Sequence, residues 1–439
     1  MKQVKLHTGS VIDVCDDKLN LTDYIHTKLN SAGREDKDDP FFVCDLGDIV
    51  KKWRRFQRVL PMVKPYFAMK CNPDLEIIKL MIKLGSNFDC ASKMEIKTLL
   101  DLGVAADRII FANPCKQTSF IKYSAANNVK LMTFDNEMEL RKVKQFYPDA
   151  ELVLRIRVDD SKSLCKFGVK FGAEPCNTMH LLQTAKQLHL NVVGVSFHVG
   201  SGCYDASLFY DAVKLSRKVF DEGREVGYQF SMLDVGGGFP GDDLAKVSFE
   251  ETAEKLKDGF NAFFPPEMNV KFIAEPGRYF VASACTNVCN ITSVRKLESG
   301  NESNFMYYIN DGVYGSFNCV MFDHYNPTAN ALHVTDGPVF KCSVWGPTCD
   351  SLDCISKSTL LPRMNIGDWM YFQNMGAYTI AAASKFNGFK QPKVIYMCRR
   401  KFADTVTAES VNIDTKMELI SKKVLHHHPQ SVVKSAAVN

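Results

Sequence analysis

Residues 66–92 read YFAMKCNPDLEIIKLMIKLGSNFDCAS, which is a short apolar run, a longer segment and a second short apolar run. In the middle segment, LEIIKLMIKLG, apolar residues recur at steps of three and four, as is typical of an amphipathic helix. The flanking runs have the length and composition of buried strands, so the stretch predicts one strand–helix–strand unit of a parallel sheet. Lys70 stands at the end of the first run, where a single lysine is most often a solvated surface charge. A functional role for Lys70 therefore needs evidence from other parts of the sequence.

The same alternation continues until eight apolar runs have been counted. The runs are YFAMK (66–70), NFDCAS (87–92), RIIFAN (108–113), KLMTFD (130–135), ELVLRIRV (151–158), NVVGVSFHVG (191–200), SMLDVGGG (231–238) and VKFIAEPG (270–277). Eight strand–helix units over about 220 residues match the usual size of a TIM barrel. An open doubly wound sheet more often has roughly five to seven strands. The sequence therefore predicts an α/β fold built on a (β/α)8 barrel.

The alternation stops after residue 280. The segments FMYYIND, VFKCSVWG, DWMYFQ and KVIYMCRR are rich in β-type residues and indicate a second, mostly antiparallel domain. We expect residues 1–40 to contribute to this β domain, residues 41–280 to form the barrel, residues 281–403 to form the β domain, and residues 404–439 to be a disordered tail.

Composition narrows the function classes. Apolar residues make up 46% of the 439-residue chain and charged residues 24%, as in a globular protein with a large core. The net charge of +4 and the lack of a basic block argue against nucleic-acid binding, and the lack of a long apolar stretch argues against a membrane protein. Fifteen cysteines without a CxxC pair or a signal peptide favour reduced thiols in the cytoplasm and no structural metal site. The run His426–His428 is interpreted as part of a polar tail.

Chemically active residues follow several of the eight strands. In barrel enzymes the carboxyl ends of the strands meet at one rim, so these residues are expected to converge. Each residue also has a simpler explanation when it is considered alone. A tight turn explains Gly236–Gly238, ordinary burial explains His198, and a local ion pair explains Glu275 with Arg278. The residues, in strand order, are Lys70, Asp89, Glu95, Arg155, His198, Ser201, Gly236, Gly237, Gly238, Glu275 and Arg278.

One cofactor uses every member of this set. Backbone N–H groups after the seventh strand can hold a phosphate, a lysine can form an imine, an acid can keep a pyridine nitrogen protonated, and a histidine can stack on the ring. The set therefore predicts a site for pyridoxal phosphate, an electron sink for amino-acid chemistry. Lys70 is expected to carry the cofactor as an internal aldimine, with burial lowering its pKa from an ordinary value of about 10.4.

Longer motifs carry a family resemblance. The motifs are FFVCDLGDIV, KCNPD, FDCASKMEI, FANPCKQ, GVSFHVGSGC, DVGGGFPG, AEPGRY, NDGVYGSFNC, WGPTCDSLD and NMGAYTIAAASKFNGF. In this order they resemble the eukaryotic ornithine decarboxylase family of fold-type III pyridoxal-phosphate enzymes, over about residues 40–389.

The resemblance implies residue roles. Lys70 matches the lysine that forms the imine, Glu275 the acid on the pyridine nitrogen, and His198 the residue stacked on the ring. Cys349 would come from the partner subunit of a homodimer and return a proton to Cα. The implied phosphate-binding set is Ser201, Gly236, Gly237, Gly238, Arg278 and Tyr378, and the acids implied for the distal ammonium of a diamino acid are Asp323 and Asp350.

The resemblance also implies an activity, the decarboxylation of L-ornithine to putrescine and carbon dioxide, the first step of polyamine biosynthesis. One alternative is a paralogue acting on lysine, arginine or leucine. Asp323 and Asp350 favour a cationic substrate, whereas Ser351, where the family usually has glycine, alters the loop beside Asp350. Gln373 replaces an expected glutamate. A racemase of the same fold type needs two opposed acid–base groups at Cα, usually a lysine and a tyrosine, and the cysteine Cys349 in WGPTCD argues against that activity.

A third alternative is a regulator rather than an enzyme. The family includes antizyme inhibitors, which bind the small protein antizyme without catalysis and typically lose their cofactor residues, whereas Lys70 and Glu275 are present here. Residues 115–144 resemble the family's antizyme-binding segment, with Lys122 and Lys142 as candidate contacts. An ordinary solvated helix face explains the same two lysines.

Overall fold

The computed structural model describes residues 1–6, 9–31, 38–243, 245–298, 304–333 and 337–408. The strands are β1 Lys2–Lys5, β2 Val11–Cys15, β3 Phe41–Asp45, β4 Val63–Ala68, β5 Asn87–Cys90, β6 Ile109–Phe111, β7 Leu131–Phe134, β8 Glu151–Arg155, β9 Ser163–Cys165, β10 Asn191–Ser196, β11 Ser201–Cys203, β12 Met232–Asp234, β13 Lys271–Ala274, β14 Cys285–Lys296, β15 Phe305–Ile309, β16 Asn330–Ala331, β17 Val339–Trp345, β18 Cys354–Pro362, β19 Trp369–Phe372 and β20 Lys393–Arg399. The α-helices are α1 Leu21–Leu29, α2 Leu46–Val59, α3 Leu75–Leu84, α4 Lys93–Asp101, α5 Thr118–Ala126, α6 Glu137–Phe146, α7 Thr178–Gln187, α8 Ser207–Val226, α9 Phe249–Phe263, α10 Arg278–Val281, α11 Cys319–Phe322 and α12 Ala403–Thr407.

Eight parallel strands close into a barrel in the order β4-β5-β6-β7-β8-β10-β12-β13, and β13 pairs again with β4. Seven of these strands lie within the predicted apolar runs, and β4 overlaps the first run but begins three residues before it. The predicted (β/α)8 barrel is confirmed. The two-stranded β9–β11 sheet is an addition above the barrel.

The covering helices form where local signals and apolar period agree. In α3, the Asp74 carboxylate caps the N-terminus by accepting from the N–H groups of Glu76 and Ile77. Gly85 ends the helix in the left-handed conformation, which costs glycine little. The face with Ile77, Ile78 and Met81 is buried against the barrel, and this burial fixes the position of the strand end before it.

The barrel interior changes character along its axis. The lower layer is an apolar cluster that includes Tyr66, Ile110, Leu131, Val153 and Ile273. The next layer lies two residues further towards the carboxyl ends of the barrel strands. This upper layer carries polar side chains. Those that are buried or partly buried there are Asp89, Thr133, Arg155, Ser196, Asp234 and Glu275. The polar layer lies at the carboxyl ends of the strands, where a barrel enzyme binds its ligand.

The second domain is a ten-stranded sheet with the order β1-β2-β20-β3-β14-β15-β17-β18, to which β16 and β19 are joined through β14. Six of its nine strand pairs are antiparallel, so the prediction of a mostly antiparallel β domain is confirmed. The predicted boundary at residue 41 differs from the structure, because β3 pairs with β14 and β20 in this sheet. The N-terminal contribution to the β domain therefore extends to Asp45.

The prediction of a disordered tail from residue 404 is wrong for its first residues. Helix α12 covers Ala403–Thr407, and Val406 is buried in the main core. The rest of the predicted tail, with His426–His428, lies outside the described residues. Within the described ranges no helix combines the length and the hydropathy needed to cross a bilayer. The fifteen cysteines all lie in those ranges and are free thiols.

Candidate active site

A cavity of about 380 Å³ opens at the carboxyl ends of the barrel strands and reaches the second domain. From the barrel rim it is lined by Lys70, Arg155, His198, Ser201 and Glu275. From the second domain, Asp323 and Tyr378 complete the wall. Three phenylalanines also face the cavity, and the sequence analysis did not single them out: Phe167, Phe171 and Phe322. One cavity thus collects seven of the fifteen predicted site residues.

Lys70 lies in a short 3-10 turn, Met69–Cys71, directly after β4. Its side chain is 43% exposed towards the cavity, and its ammonium contacts the fully buried carboxylate of Asp89. Burial lowers the pKa of Lys70, but the attraction of Asp89 and Glu275 outweighs burial, so the pKa lies above its ordinary value. The expectation of a lowered pKa was wrong, because two acids on neighbouring strands face the amine.

The acids beside Lys70 form a buried group. Burial, with the like charges of Asp234 and Asp89, raises the pKa of Glu275 well above its ordinary value. Burial also raises the pKa of Asp234 to about 7, although the N–H of Gly236 and the neighbouring Glu275 partly offset it. A positive charge placed beside these acids would lower their pKa values again, so a protonated ring nitrogen suits this position. Asp234 was not predicted as a site residue, because it lies inside the apolar run SMLDVGGG and was counted as part of that strand.

His198 is held as a neutral ring. Its Nδ1 accepts a hydrogen bond of 3.0 Å from the N–H of Gly200, so a neutral ring carries its proton on Nε2. Burial, followed by the charges of Arg155 and Lys70, lowers the pKa of His198 well below 6.5. The edge of Phe167 contacts the ring, with centroids 4.9 Å apart. A neutral, fixed imidazole is suited to stacking on a planar ligand.

The glycines after β12 form a close backbone cradle. Gly236 and Gly238 have positive φ values of 64° and 95°. A methyl group on Gly236 would lie 2.1 Å from the carbonyl oxygen of Phe197, and one on Gly237 would lie 2.8 Å from Nε2 of His198. Only glycine fits these positions, and the space that a side chain would fill is left beside His198 and Glu275.

Arg278 lies at the start of α10 and connects the rim to the second domain. Its Nη2 donates to Oγ of Ser201 at 3.1 Å and to both carboxylate oxygens of Asp323 at 2.6 and 2.7 Å. Its guanidinium lies 5.0 Å from the ring centroid of Tyr378. Although burial lowers the pKa of Arg278, Asp323 raises it above its ordinary value, so the arginine is a permanent cation at this wall.

Glu95 and Arg155 lie at the edge of the site. The Glu95 carboxylate accepts from the N–H of Ala91, which closes the loop between β5 and α4. Arg155, the last residue of β8, packs against the ring of Phe171 with 5.2 Å between the guanidinium carbon and the centroid. Glu95 does not line the cavity itself, and its predicted contact with the cofactor stays a prediction.

Cys349 and Asp350 are not brought to Lys70 within one chain. Neither lines the cavity, and Cys349 is exposed. The Asp350 carboxylate accepts from the N–H of Leu352 and from the hydroxyl of Tyr314, and these bonds lower the pKa of Asp350. Tyr314, which the sequence analysis did not identify, therefore belongs to the same exposed loop cluster.

Residues 115–144 form α5, β7 and the start of α6. The ammonium of Lys122 lies 4.7 Å from the ring centroid of Phe146, and Lys142 forms an ion pair of 2.6 Å with Glu139. Both lysines thus have contacts within the chain, as an ordinary helix surface would give them. Neither contact prevents a partner from approaching the exposed part of each side chain.

Comparison with known proteins decides the family. Residues 46–282 match the family described as pyridoxal-dependent decarboxylase, pyridoxal binding domain. The matched region contains the whole barrel. This chain is a member of that family. It is therefore a pyridoxal-dependent amino-acid decarboxylase, and the prediction of pyridoxal phosphate as cofactor is confirmed.

Named relatives of this pyridoxal-dependent decarboxylase cover most of its length. Ornithine decarboxylase of Mus musculus is 48% identical over 399 residues, which are 88% of this chain and 87% of the relative. Antizyme inhibitor 2 of Xenopus laevis is 49% identical over 389 residues, 86% of this chain and 85% of the relative. The arginine decarboxylase of Paramecium bursaria Chlorella virus, solved with agmatine bound, has a TM-score of 0.81 at 34% identity and covers 86% of this chain and all of that one.

The residues at the rim of this decarboxylase fit its cofactor. Oε1 of Glu275 and Oδ1 of Asp89 are buried and accept no hydrogen bond from the described residues. Buried acceptors of this kind are costly unless a ligand supplies a donor. Gly238, at the end of the glycine cradle, lines a cavity together with Ser201 and Arg278, and this combination of backbone and side-chain donors suits a phosphate. Lys70 supplies an amine in the same cavity.

Proposed function

We propose that this pyridoxal-dependent decarboxylase converts L-ornithine to putrescine and carbon dioxide, the first step of polyamine biosynthesis. The observation that carries the proposal is the position of Asp323, a buried acid that faces Lys70 and Glu275 across one cavity. A carboxylate has room for more than the contacts with Arg278, so it can also accept from a distal ammonium. The identity of 48% to the Mus musculus ornithine decarboxylase supports the same substrate.

In this proposal the barrel rim holds the cofactor. Lys70 binds it covalently, Glu275 faces the ring nitrogen and His198 stacks on the ring. The phosphate is held by Ser201, Gly236, Gly237, Gly238, Arg278 and Tyr378. When bound, the cofactor supplies an electron sink for the electron pair left at Cα as carbon dioxide departs. Glu275 would keep the ring nitrogen protonated by pairing with it as an anion, and the buried Oε1 of Glu275, which accepts no hydrogen bond from the described residues, supports this role.

Cα must then receive a proton at the correct atom. We assign this step to Cys349 of the partner subunit, in a homodimer whose two sites are shared. The proposal is supported by the exposure of Cys349 and by its absence from the lining of its own cavity. Asp350 lies beside Cys349 and would approach the distal ammonium from the same side as Asp323.

The activity is tested on purified protein with pyridoxal phosphate. Carbon dioxide release is measured from L-ornithine, L-lysine, L-arginine and L-leucine, and each amine is identified by mass spectrometry. Putrescine in large excess over every other amine is the expected result, with Lys70→Ala as the blank. Turnover of a different amino acid would contradict the substrate assignment and leave the decarboxylase class intact.

The shared site is tested by mixing two inactive variants. Lys70→Ala and Cys349→Ala each disable one half of the site, and random exchange of subunits places one complete site in half of the dimers. Activity near a quarter of the wild-type value is therefore expected after mixing. Activity that stays at the level of the separate variants would contradict the shared site.

A regulatory function is the second candidate, because antizyme inhibitor 2 of Xenopus laevis is as similar to this chain as the enzymes are. In this case residues 115–144 would bind antizyme, with or without catalysis. Binding of purified antizyme to the wild-type chain, compared with Lys122→Glu and Lys142→Glu, tests this surface. The absence of any amine product together with tight antizyme binding would favour the regulator over the enzyme.

We also propose a cytoplasmic location. The fifteen free thiols support it, since a reducing compartment keeps cysteines unpaired. Fluorescence microscopy of the tagged chain in its source cells checks the assignment.

A further inference from the structure

We propose that Asn72 is a positioning residue for Lys70, fixing the turn that carries the lysine against the second domain. The inference rests on the proposed role of Lys70 as the residue that binds the cofactor. The direction in which the Lys70 amine points depends on the path of the backbone after β4, because the turn Met69–Cys71 carries the lysine.

The turn is held on its barrel side by the strands. Ala68 pairs with Asp89 in β5, and its N–H donates to the carbonyl of Pro276 at 3.3 Å. After Lys70 the chain leaves the barrel and has no further strand partner. The direction of the turn therefore depends on what holds residues 71–74.

Residues 71–74 are held by the second domain through three hydrogen bonds. The carbonyl of Cys71 accepts from the N–H of Tyr378 at 2.9 Å. The side-chain amide of Asn72 donates to the carbonyl of Gly376 at 2.9 Å. The carboxylate of Asp74 accepts from the hydroxyl of Tyr396 at 2.7 Å.

Of the three residues that bond to the second domain, Asn72 is the one that does so through a buried side chain. It is 3% exposed, and its Oδ1 also accepts from the N–H of Asp74 at 3.1 Å. One amide group thus joins its own loop to the second domain and leaves the side chain a single orientation. A buried amide with both ends bonded is costly to rearrange.

The partner of Asn72 is itself immobile. A methyl group on Gly376 would lie 1.8 Å from the carbonyl oxygen of Val281, so the two backbones are in close contact. The N–H of Gly376 donates to Ala282 at 3.0 Å, and that of Met375 donates to Cys285 at 2.8 Å. Asn72 is therefore bonded to a rigid point, and a rigid point can set the direction of the turn.

The same segment carries Tyr378, which contacts Arg278. The bond from Asn72 to Gly376 thus fixes the distance between the lysine-bearing turn and this part of the proposed phosphate site. Because a misplacement of about 1 Å can cost on the order of a hundredfold in rate, loss of this bond is expected to disturb the attachment of the cofactor.

The test compares Asn72→Ala with Asn290→Ala in the holoenzyme. Asn290 is a matched control, since it is 7% exposed and its amide donates to the carbonyl of Gly367 at 3.0 Å within the second domain. Three quantities are measured: the thermal midpoint, the rate at which hydroxylamine removes pyridoxal phosphate from the protein, and kcat and KM for ornithine. Borohydride reduction followed by peptide mass spectrometry confirms that the cofactor is attached to Lys70.

Both variants are expected to lose similar thermal stability. Only Asn72→Ala is expected to release the cofactor about tenfold faster and to lose about tenfold in kcat with little change in KM. Equal release rates and equal kcat in the two variants would show that Asn72 is structural only and would overturn the inference. If Asn72→Ala does not fold, Asn72→Asp replaces it, because this variant keeps the shape and the acceptor and loses the donor when ionised. A wild-type protein without pyridoxal phosphate on Lys70 would instead overturn the proposed function.

Discussion

Asp234 is a buried acid whose titration affects stability as well as chemistry. Its pKa is about 7 in the folded chain, against an ordinary value of 3.8 in an unfolded one. Between these values the folded state holds a proton that the unfolded chain releases. The contribution of Asp234 to stability is therefore full below about pH 4 and is lost as the pH rises to 7.

The first prediction uses Asp234→Asn, which cannot titrate and keeps an acceptor for the N–H of Gly236. Relative to the wild type, the free energy of unfolding of the variant should increase as the pH rises from 4 to 7 and stay constant above. Urea unfolding at a series of pH values measures the difference. A difference that does not change with pH would contradict the buried, protonated acid.

The second prediction concerns Asp323 and the charge of the substrate. Asp323→Asn keeps an oxygen for Arg278 and removes the negative charge that the distal ammonium needs. We expect kcat/KM for ornithine to fall roughly 10- to 100-fold, equivalent to about 1.5–3 kcal/mol. Leucine serves as the control substrate because it has no distal charge, and an equal loss for both amino acids would contradict the assignment.

At the scale of elements, the turn after β12 combines backbone strain with close contact. Gly236→Ala would place a methyl group at positive φ and 2.1 Å from the carbonyl of Phe197. Gly85, after α3, has a positive φ of 86° with open space around it, so Gly85→Ala measures strain alone.

The third prediction is that Gly85→Ala costs about 1 kcal/mol in the free energy of unfolding and leaves cofactor binding unchanged. Gly236→Ala should cost about 3 kcal/mol or more and abolish the retention of pyridoxal phosphate. Chemical denaturation and cofactor absorbance after gel filtration measure both effects. Equal costs for the two variants would show that contact with Phe197 is unimportant.

The sequence predicted the barrel elements well, since each strand lies in or overlaps a short run rich in apolar residues and the covering helices repeat their apolar residues. It also placed Lys70, His198 and Glu275 together, because the carboxyl ends of parallel strands meet at one rim. It could not predict contacts that arise when the two domains dock. The bonds of Arg278 to Asp323 and of Asn72 to Gly376 join residues far apart in sequence, and no local pattern encodes them. The raised pKa of Lys70 depends on how close Asp89 and Glu275 of the neighbouring barrel strands lie to the amine, and the order of the strands alone does not give these distances.

At the scale of the whole molecule, the site is formed between two domains. The barrel contributes Lys70 and Glu275, and the second domain contributes Asp323 and Tyr378. A ligand that contacts both domains binds the folded state and not the unfolded chain, so it must stabilise the whole molecule.

The fourth prediction follows from this coupling. Pyridoxal phosphate at a hundredfold excess over its Kd should stabilise the chain by about 2.7 kcal/mol. Lys70→Ala should require more cofactor for the same rise in thermal midpoint, because it lacks the covalent attachment. Differential scanning calorimetry at several cofactor concentrations measures the shift, and a midpoint that is independent of cofactor would contradict a site built from both domains.

The polar upper layer of the barrel has a consequence for the life of the protein in a cell. A barrel core of this size is usually filled by branched apolar side chains, whereas here buried acids occupy the layer next to the ligand. A chain that has not yet acquired its cofactor should therefore open more often at this end and be cleaved sooner by proteases. Vitamin B6 supply would then set the abundance of the protein through its half-life, in addition to setting the fraction of molecules able to react.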